Sequence, residues 1–99
     1  MTINIQYLHM ATSETMTSYV TEKLERLYKK YDWLIKAEVH FSVEHNDKVK
    51  GKICKIELSA PGPRLFATSD EDNYEDAVKN TIKDLEIQLK KRKQTFVRH

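Results

Sequence analysis

Two stretches of the chain carry apolar residues at the three- and four-residue steps that place side chains on one face of a helix. The first stretch follows a candidate N-cap, Thr12 or Ser13, and ends near residues 31–32. The second runs from residue 72 to about residue 94, and Ser69 with Asp72 resembles a capping box at its start. The apolar positions are Met16, Val20, Leu24, Leu27 and Tyr31 in the first stretch and Tyr74, Val78, Ile82, Leu85 and Leu89 in the second.

Four further segments are predicted strands. The first three alternate between apolar and polar residues, which is the period of a strand buried on one side, and the fourth is a brief strand that carries Leu65, Phe66 and Ala67. The four segments cover residues 2–8, 36–44, 52–59 and 64–68. Polar residues at 45–51 and the sequence Pro61-Gly62-Pro63 predict short turns between the last three segments. The predicted order of elements is therefore β-α-β-β-β-α.

This order restricts the architecture. Strands joined by short turns form an antiparallel meander, whereas a helix between the first two strands is typical of a right-handed parallel crossover. Each helix has one apolar face, and the sheet has one as well. We therefore expect an α+β fold, a two-layer sandwich in which both helices cover one face of a four-stranded sheet.

Length and composition fit a single domain over residues 1–99, with 39% hydrophobic and 32% charged residues. The lone Cys54 excludes an internal disulfide. No apolar run approaches the length of a membrane span, and the N-terminus lacks the apolar core of a signal peptide. A cytoplasmic protein without a membrane partner is the expectation.

The net charge of +2 is small, but the charges are segregated. Lys23, Arg26 and Lys30 share one flank of the first predicted helix, and Lys79, Lys83 and Lys90 line a stripe of the second that only Glu86 interrupts. If the flanks converge, their regular spacing suits the phosphates of structured RNA. A lysine-rich flank is more often simply solvated, so the residues alone leave both interpretations open.

Catalysis finds little support in the sequence. The four histidines are scattered and have no helical partner at metal-ligand spacing, so neither a metal nor another cofactor is expected. Cys54 falls on the inferred core face, where an inert buried thiol is the simpler interpretation. Trp33 suits either base stacking or a contact between helix and sheet, whereas Phe96 is expected to end the contact of the second helix with the core. We predict that the protein is not an enzyme.

The chain resembles the short form of the ribosome hibernation-promoting factors and ribosome-associated translation inhibitors over nearly its whole length. The similarity lies in the order and spacing of several segments rather than in one motif. The sequence Asp72-Asn73-Tyr74 followed by Ala77-Val78 resembles the acidic-Met-Tyr…Ala-Ile signature of this family, with Asn73 in place of Met. The other segments are INI (3–5), TSYVTEKLERLYKK (17–30), VHFSVE (39–44), LFATSDEDNYEDAV (65–78) and LEIQLKKRK (85–93).

The resemblance implies a β-α-β-β-β-α fold that binds the small ribosomal subunit between its head and body. There it would occupy the tRNA and mRNA path, inhibit translation and preserve idle ribosomes in stationary phase. The mechanism would be occlusion, with basic residues of both helices on rRNA. The candidates for RNA binding are Lys23, Arg26, Lys29, Lys30, Lys79, Lys83, Lys90, Lys91 and Lys93, whereas Arg92 points toward the core side.

The sequence ends at His99 without the second, dimer-forming domain of long-form relatives. We therefore expect a monomer off the ribosome, and any pairing of ribosomes would come from another protein or from contacts made on the ribosome. Residues 94–99 are shorter than the tail of the inhibitor type, which favours the hibernation-promoting type. The alternative is a regulator that binds a protein, in the manner of sigma-factor modulation, through Trp33 or the sheet face and without RNA.

Overall fold

The computed structural model describes residues 1–44 and 51–97 of the 99-residue chain. Its elements are, in order, β1 (Thr2–Tyr7), α1 (Glu14–Lys30), β2 (Lys36–Val43), β3 (Lys52–Ser59), β4 (Leu65–Glu71) and α2 (Tyr74–Val97). The predicted order β-α-β-β-β-α is confirmed. The turn predicted at 45–51 lies, except for Gly51, outside the described residues.

The four strands form one mixed sheet in the order β1-β2-β3-β4. β1 pairs in parallel with β2, from Thr2 opposite Lys36 to Tyr7 opposite Phe41, because α1 carries the chain back before β2 begins. The pairs β2–β3 and β3–β4 are antiparallel. The parallel crossover and the meander both agree with the sequence prediction.

A single apolar core lies between the sheet and the two helices. The largest fully buried side chains include Val20 and Leu24 from α1, Leu85 and Leu89 from α2, and Val39, Phe41, Ile56 and Leu58 from the sheet. Each such leucine contributes about 1.5–3 kcal/mol relative to an exposed one. Since side chains of both helices join the same cluster, both helices cover one face of the sheet, as predicted.

A row of three aromatic rings fixes the start of each helix on the sheet. The Tyr7 ring stacks on Phe41 at 5.0 Å between centroids, and Tyr74 meets Phe41 edge-on at 5.6 Å. The Tyr7 hydroxyl donates to the carbonyl of Ser13, the N-cap of α1, at 2.8 Å. The Tyr74 hydroxyl donates to the carbonyl of Ser42 at 2.8 Å. These contacts orient the two helices side by side.

The capping box predicted at Ser69 is wrong. β4 extends to Glu71, and Ser69 lies within it opposite Cys54, because β3 offers paired backbone as far back as Lys52. The N-cap of α2 is Asn73, whose side-chain oxygen accepts from the backbone N–H of Asp76 at 2.8 Å. The predicted strand over residues 64–68 was thus too short, and the predicted helix start too early.

The far end of α2 is tied to the turn between β3 and β4. The Arg92 guanidinium donates to the carbonyls of Pro61 and Pro63 at 2.9 and 2.8 Å. Gly62 between them has φ of 96°, a left-handed conformation that glycine adopts without steric cost. Arg92 therefore joins the end of α2 to the turn between β3 and β4.

Among the described helices, none is both long and apolar enough to cross a membrane.

Candidate nucleic-acid interface

A groove with a volume of about 250 Å³ lies between α1 and α2 on the surface that faces away from the sheet. Its lining residues are Lys23, Arg26, Leu27, Lys30, Ile82 and Glu86. Leu27 and Ile82 provide an apolar floor, and the charged side chains stand around it. The structure thus places the three basic residues of the first predicted flank against the second helix.

The position of the α1 cations follows from which residues the helix buries. Leu24 and Leu27 point into the core, so Lys23 and Lys30, seven residues apart, lie on one flank together with Arg26. Arg26 and Lys30 are exposed, whereas Lys23 is half-buried. The half-buried lysine keeps its ammonium group 5.3 Å from the Tyr19 ring centroid, within range of a cation–π contact.

The lysines of α2 extend the groove along the helix. Lys79 and Lys93 are seven residues before and after Glu86, so they lie on the same side of α2 as this groove residue. Lys83 and Lys90 lie on the adjoining outer side, and all four are exposed. Within the described residues, no hydrogen bond or ion pair engages Lys79, Lys83 or Lys90.

Two of the nine candidates lie apart from the groove. Lys91 is three residues after Gln88, whose side chain donates to the carbonyl of Phe66 in β4 at 2.9 Å. Lys91 is therefore on the flank of α2 that is turned away from α1. Lys29 is exposed on the outer surface of α1, away from the residues that line the groove.

Acidic side chains offset part of the positive charge. Glu86 in α2 pairs with Lys30 in α1, with 2.6 Å between Oε2 and Nζ. The hydrogen bond and the charge of Glu86 raise the pKa of Lys30. Glu22 pairs with Arg26 one turn along α1 at 2.8 Å. Such exposed pairs are weak and exchange readily with another anion.

Aromatic side chains close the end of the groove where both helices finish. Trp33 meets Phe96 edge-on at 4.8 Å and Tyr31 at 5.8 Å between ring centroids. The Lys93 ammonium group lies 5.7 Å from the Tyr31 ring centroid. Tyr31 is buried, and Phe96 ends the packing of α2 against Trp33. Trp33 therefore joins the end of α2 to the segment that follows α1.

The charged side chains of this surface suit an anion rather than a metal ion or a catalytic nucleophile. Among residues 1–44 and 51–97, no three His, Cys, Asp or Glu side chains cluster in a way that could hold a metal ion. Cys54 is fully buried, and burial raises the pKa of its thiol to about 12, so it is not a nucleophile at neutral pH. Ammonium and guanidinium groups around a groove bind phosphates or carboxylates.

Two residues of this region have roles that the sequence did not reveal. Glu86 looked like an interruption of a lysine stripe, yet it pairs across the helices with Lys30. Arg92 looked like a core-facing base, yet it binds two turn carbonyls. Their partners lie 56 and about 30 residues away in the chain, so no local spacing could have indicated them.

The fold and the groove define a small two-layer α+β domain that presents a basic two-helix face. Residues 3–96 match the family described as Sigma 54 modulation protein / S30EA ribosomal protein, and the chain belongs to this family. A curated relative, the ribosome hibernation promoting factor of Pseudomonas putida, is 29% identical over 94 residues. The match covers 95% of this chain and 88% of the relative. The resemblance expected from the sequence is confirmed.

Solved structures share the fold. A ribosomal subunit interface protein from Coxiella burnetii superimposes with a TM-score of 0.84 at 24% identity, over 95% of this chain and 99% of that one. The N-terminal domain of Thermus thermophilus Protein Y gives a TM-score of 0.78 at 22% identity, with coverages of 92% and 98%. At 24% and 22% identity, the similarity to these two structures establishes the fold alone.

Proposed function

We propose that this protein binds the small ribosomal subunit through the basic faces of α1 and α2, which contact rRNA phosphates. In that position it occupies the path of tRNA and mRNA, inhibits translation and preserves idle ribosomes. The observation that carries the proposal is the groove in which Lys23, Arg26 and Lys30 stand beside α2. The relative from Pseudomonas putida, which is named a ribosome hibernation promoting factor, supports the same assignment.

The geometry suits phosphates better than bases. The cations are spread along two rigid helices and sit on long, flexible side chains, which neutralise a charged backbone without reading an edge pattern. Structured RNA presents phosphates and shape rather than accessible base edges in its deep major groove. Binding is therefore expected to follow the fold of the rRNA, and occlusion requires no catalytic step. The protein acts in the cytoplasm as a monomer that joins the ribosome.

Co-sedimentation with purified small ribosomal subunits through a sucrose cushion tests this proposal. With roughly six phosphate contacts, the affinity should fall by about a thousandfold between 50 and 200 mM salt. Subunits loaded beforehand with tRNA and mRNA should retain much less protein in the pellet, since the same path is occupied. Failure to pellet with empty subunits at low salt would overturn the proposal.

The description of the family also names sigma 54 modulation, which favours a second candidate, the binding of a protein partner. The sheet face opposite the helices carries Phe66, which is 47% exposed and lies under the Lys55 ammonium group at 5.3 Å. A partner held on this face would bind with little dependence on salt and without RNA. Phe66→Ser should weaken such binding and leave ribosome binding unchanged.

A further inference from the structure

Glu86 stands among the cationic side chains that line the groove. Three of the side chains that line the groove are cationic, and Glu86 is the acidic one among them. It reaches across from α2, and its carboxylate lies 2.6 Å from the Lys30 ammonium group. The side chains of Lys30 and Glu86 are 64% and 37% exposed, so an anion in solution has access to both.

A carboxylate in this position has the same bonding chemistry as a phosphate. Both present anionic oxygens that accept charge-assisted hydrogen bonds from ammonium and guanidinium groups. The groove volume of about 250 Å³ is several times the roughly 30 Å³ of one water molecule in the liquid. Lys23 and Arg26 line the same space, and Arg26 is also paired with Glu22. The three cations therefore still exceed the two carboxylates, Glu22 and Glu86, by one charge.

We propose that the groove is a binding subsite for one phosphate group of an RNA backbone, and that the Glu86 carboxylate is an internal competitor for it. Glu86 holds Lys30 across the groove until a phosphate takes its place. This inference rests on the proposed binding to rRNA and names the site at which one phosphate is recognised. Glu86 weakens the contact and thereby favours RNA that places a phosphate well.

The pair is not needed to hold the helices together. Exposed ion pairs contribute little to stability. The packing of the helices is provided by side chains such as Leu24, Leu85 and Leu89, which are fully buried in one core. The two possible roles of Glu86 predict opposite results. If Glu86 were only a structural bridge, its removal would weaken RNA binding, whereas removal of an internal competitor strengthens RNA binding.

The test is Glu86→Gln, which keeps the shape of the side chain and removes its charge. The variant should bind purified small subunits about two- to fivefold more tightly, the range that an exposed pair allows. Its plot of log affinity against log salt should keep the wild-type slope, because Lys30 neutralises the same phosphate in both proteins and the RNA releases the same number of counterions. Glu25→Gln is the matched control, since Glu25 is exposed on α1 and does not line the groove.

Lys30→Gln and the variant that combines Lys30→Gln with Glu86→Gln complete a double-mutant cycle. If Glu86 acts by occupying Lys30, the gain from Glu86→Gln should disappear in the Lys30→Gln background. A gain that persists there, or a Glu86→Gln variant that binds no more tightly than the Glu25→Gln control, overturns the inference while the proposed function stands. Absence of binding by the wild-type protein in the same assay would instead remove the proposed function.

Discussion

The two flanks of α2 use similar side chains for different purposes. On the flank next to β4, Gln88 and Arg92 donate to backbone carbonyls of the sheet edge and its turn. On the outer side that adjoins the α1 flank, Lys83 and Lys90 extend into solvent, and within the described residues they have no ion pair. A basic residue on this helix is therefore structural when a carbonyl lies within reach, and available to a ligand when none does.

The choice of arginine at position 92 explains part of the difference between the flanks, because a lysine there could not make the same contacts. A guanidinium group presents several N–H donors in a fixed plane, so Arg92 can satisfy the carbonyls of Pro61 and Pro63 at once. An ammonium group on a flexible stem suits a phosphate that approaches from many directions. The flank of α2 that faces α1 accordingly carries lysines.

The largest effect is expected when the exposed flank is reversed in charge. Lys83→Glu with Lys90→Glu should weaken binding to small ribosomal subunits by about a hundredfold at 0.1 M salt, since two phosphate contacts become repulsive. The thermal unfolding midpoint should barely change, because both side chains are exposed. A protein partner bound through the sheet face would be retained by this variant. Unchanged sedimentation with subunits would show that this flank does not contact RNA.

The opposite flank should respond in stability and not in binding. Arg92→Lys keeps the positive charge but loses the paired hydrogen bonds to the turn, and we expect a loss of about 1.5 kcal/mol in the free energy of unfolding. Urea denaturation measures the loss, and the affinity for small subunits should be unaltered. Lys90→Ala is the matched comparison, with weaker binding and unaltered stability, because its side chain is exposed. If Arg92→Lys also weakened binding, the division between the flanks would fail.

The sequence predicted the layers of the fold well because the spacing of apolar residues determines which side of each helix or strand is buried. The alternation over β2, for example, places Val39 and Phe41 in the core, as expected from the pattern alone. The end of β4 was not predicted, because Ser69 and Asp70 continue the strand only through pairing with Cys54 and Ile53 of β3. Local spacing at residues 69–72 suggested a helix cap, whereas long-range backbone hydrogen bonds determine the outcome.

The candidate interface was only partly predictable. Helical spacing grouped Lys23, Arg26 and Lys30 correctly on one flank, since this follows from the geometry of a single helix. Nothing local indicated that Glu86 would meet Lys30, because the register between two helices is set by core packing. Core packing also decides which side of α2 faces α1. Lys91 is part of the basic run in the sequence, but in the fold it lies on the side of α2 that is turned away from α1.

The strand β3, which packs under the buried face of α2, gives a pH-dependent effect of intermediate size through Cys54. Burial raises the pKa of Cys54 from 9.0 to about 12, so the folded state keeps its proton where the unfolded state loses it. The contribution of the protonated thiol to the free energy of unfolding is complete below pH 9 and is lost as the pH rises from 9 to 12. At pH 10 the free energy of unfolding has fallen by about 1.4 kcal/mol. Cys54→Ala should reduce the loss in unfolding free energy between pH 7 and pH 10 by that amount. An equal loss in both proteins would contradict it.

The smallest effect concerns the start of α2, from which both flanks extend. Asn73→Ala removes the side chain that accepts from the Asp76 N–H and also donates to the Asp76 carboxylate at 3.1 Å. The loss of an N-cap of this kind costs about 1 kcal/mol in unfolding free energy. Ser69→Ala, at the cap position that the sequence suggested, should cost clearly less, because Ser69 lies within β4. Urea denaturation of the two variants side by side distinguishes the cap positions, and a larger loss for Ser69→Ala would place the start of the helix where the sequence pattern had it. Neither substitution changes the charge of the groove, so the affinity for small subunits should follow the wild type in both, and any change in stability can be attributed to the cap.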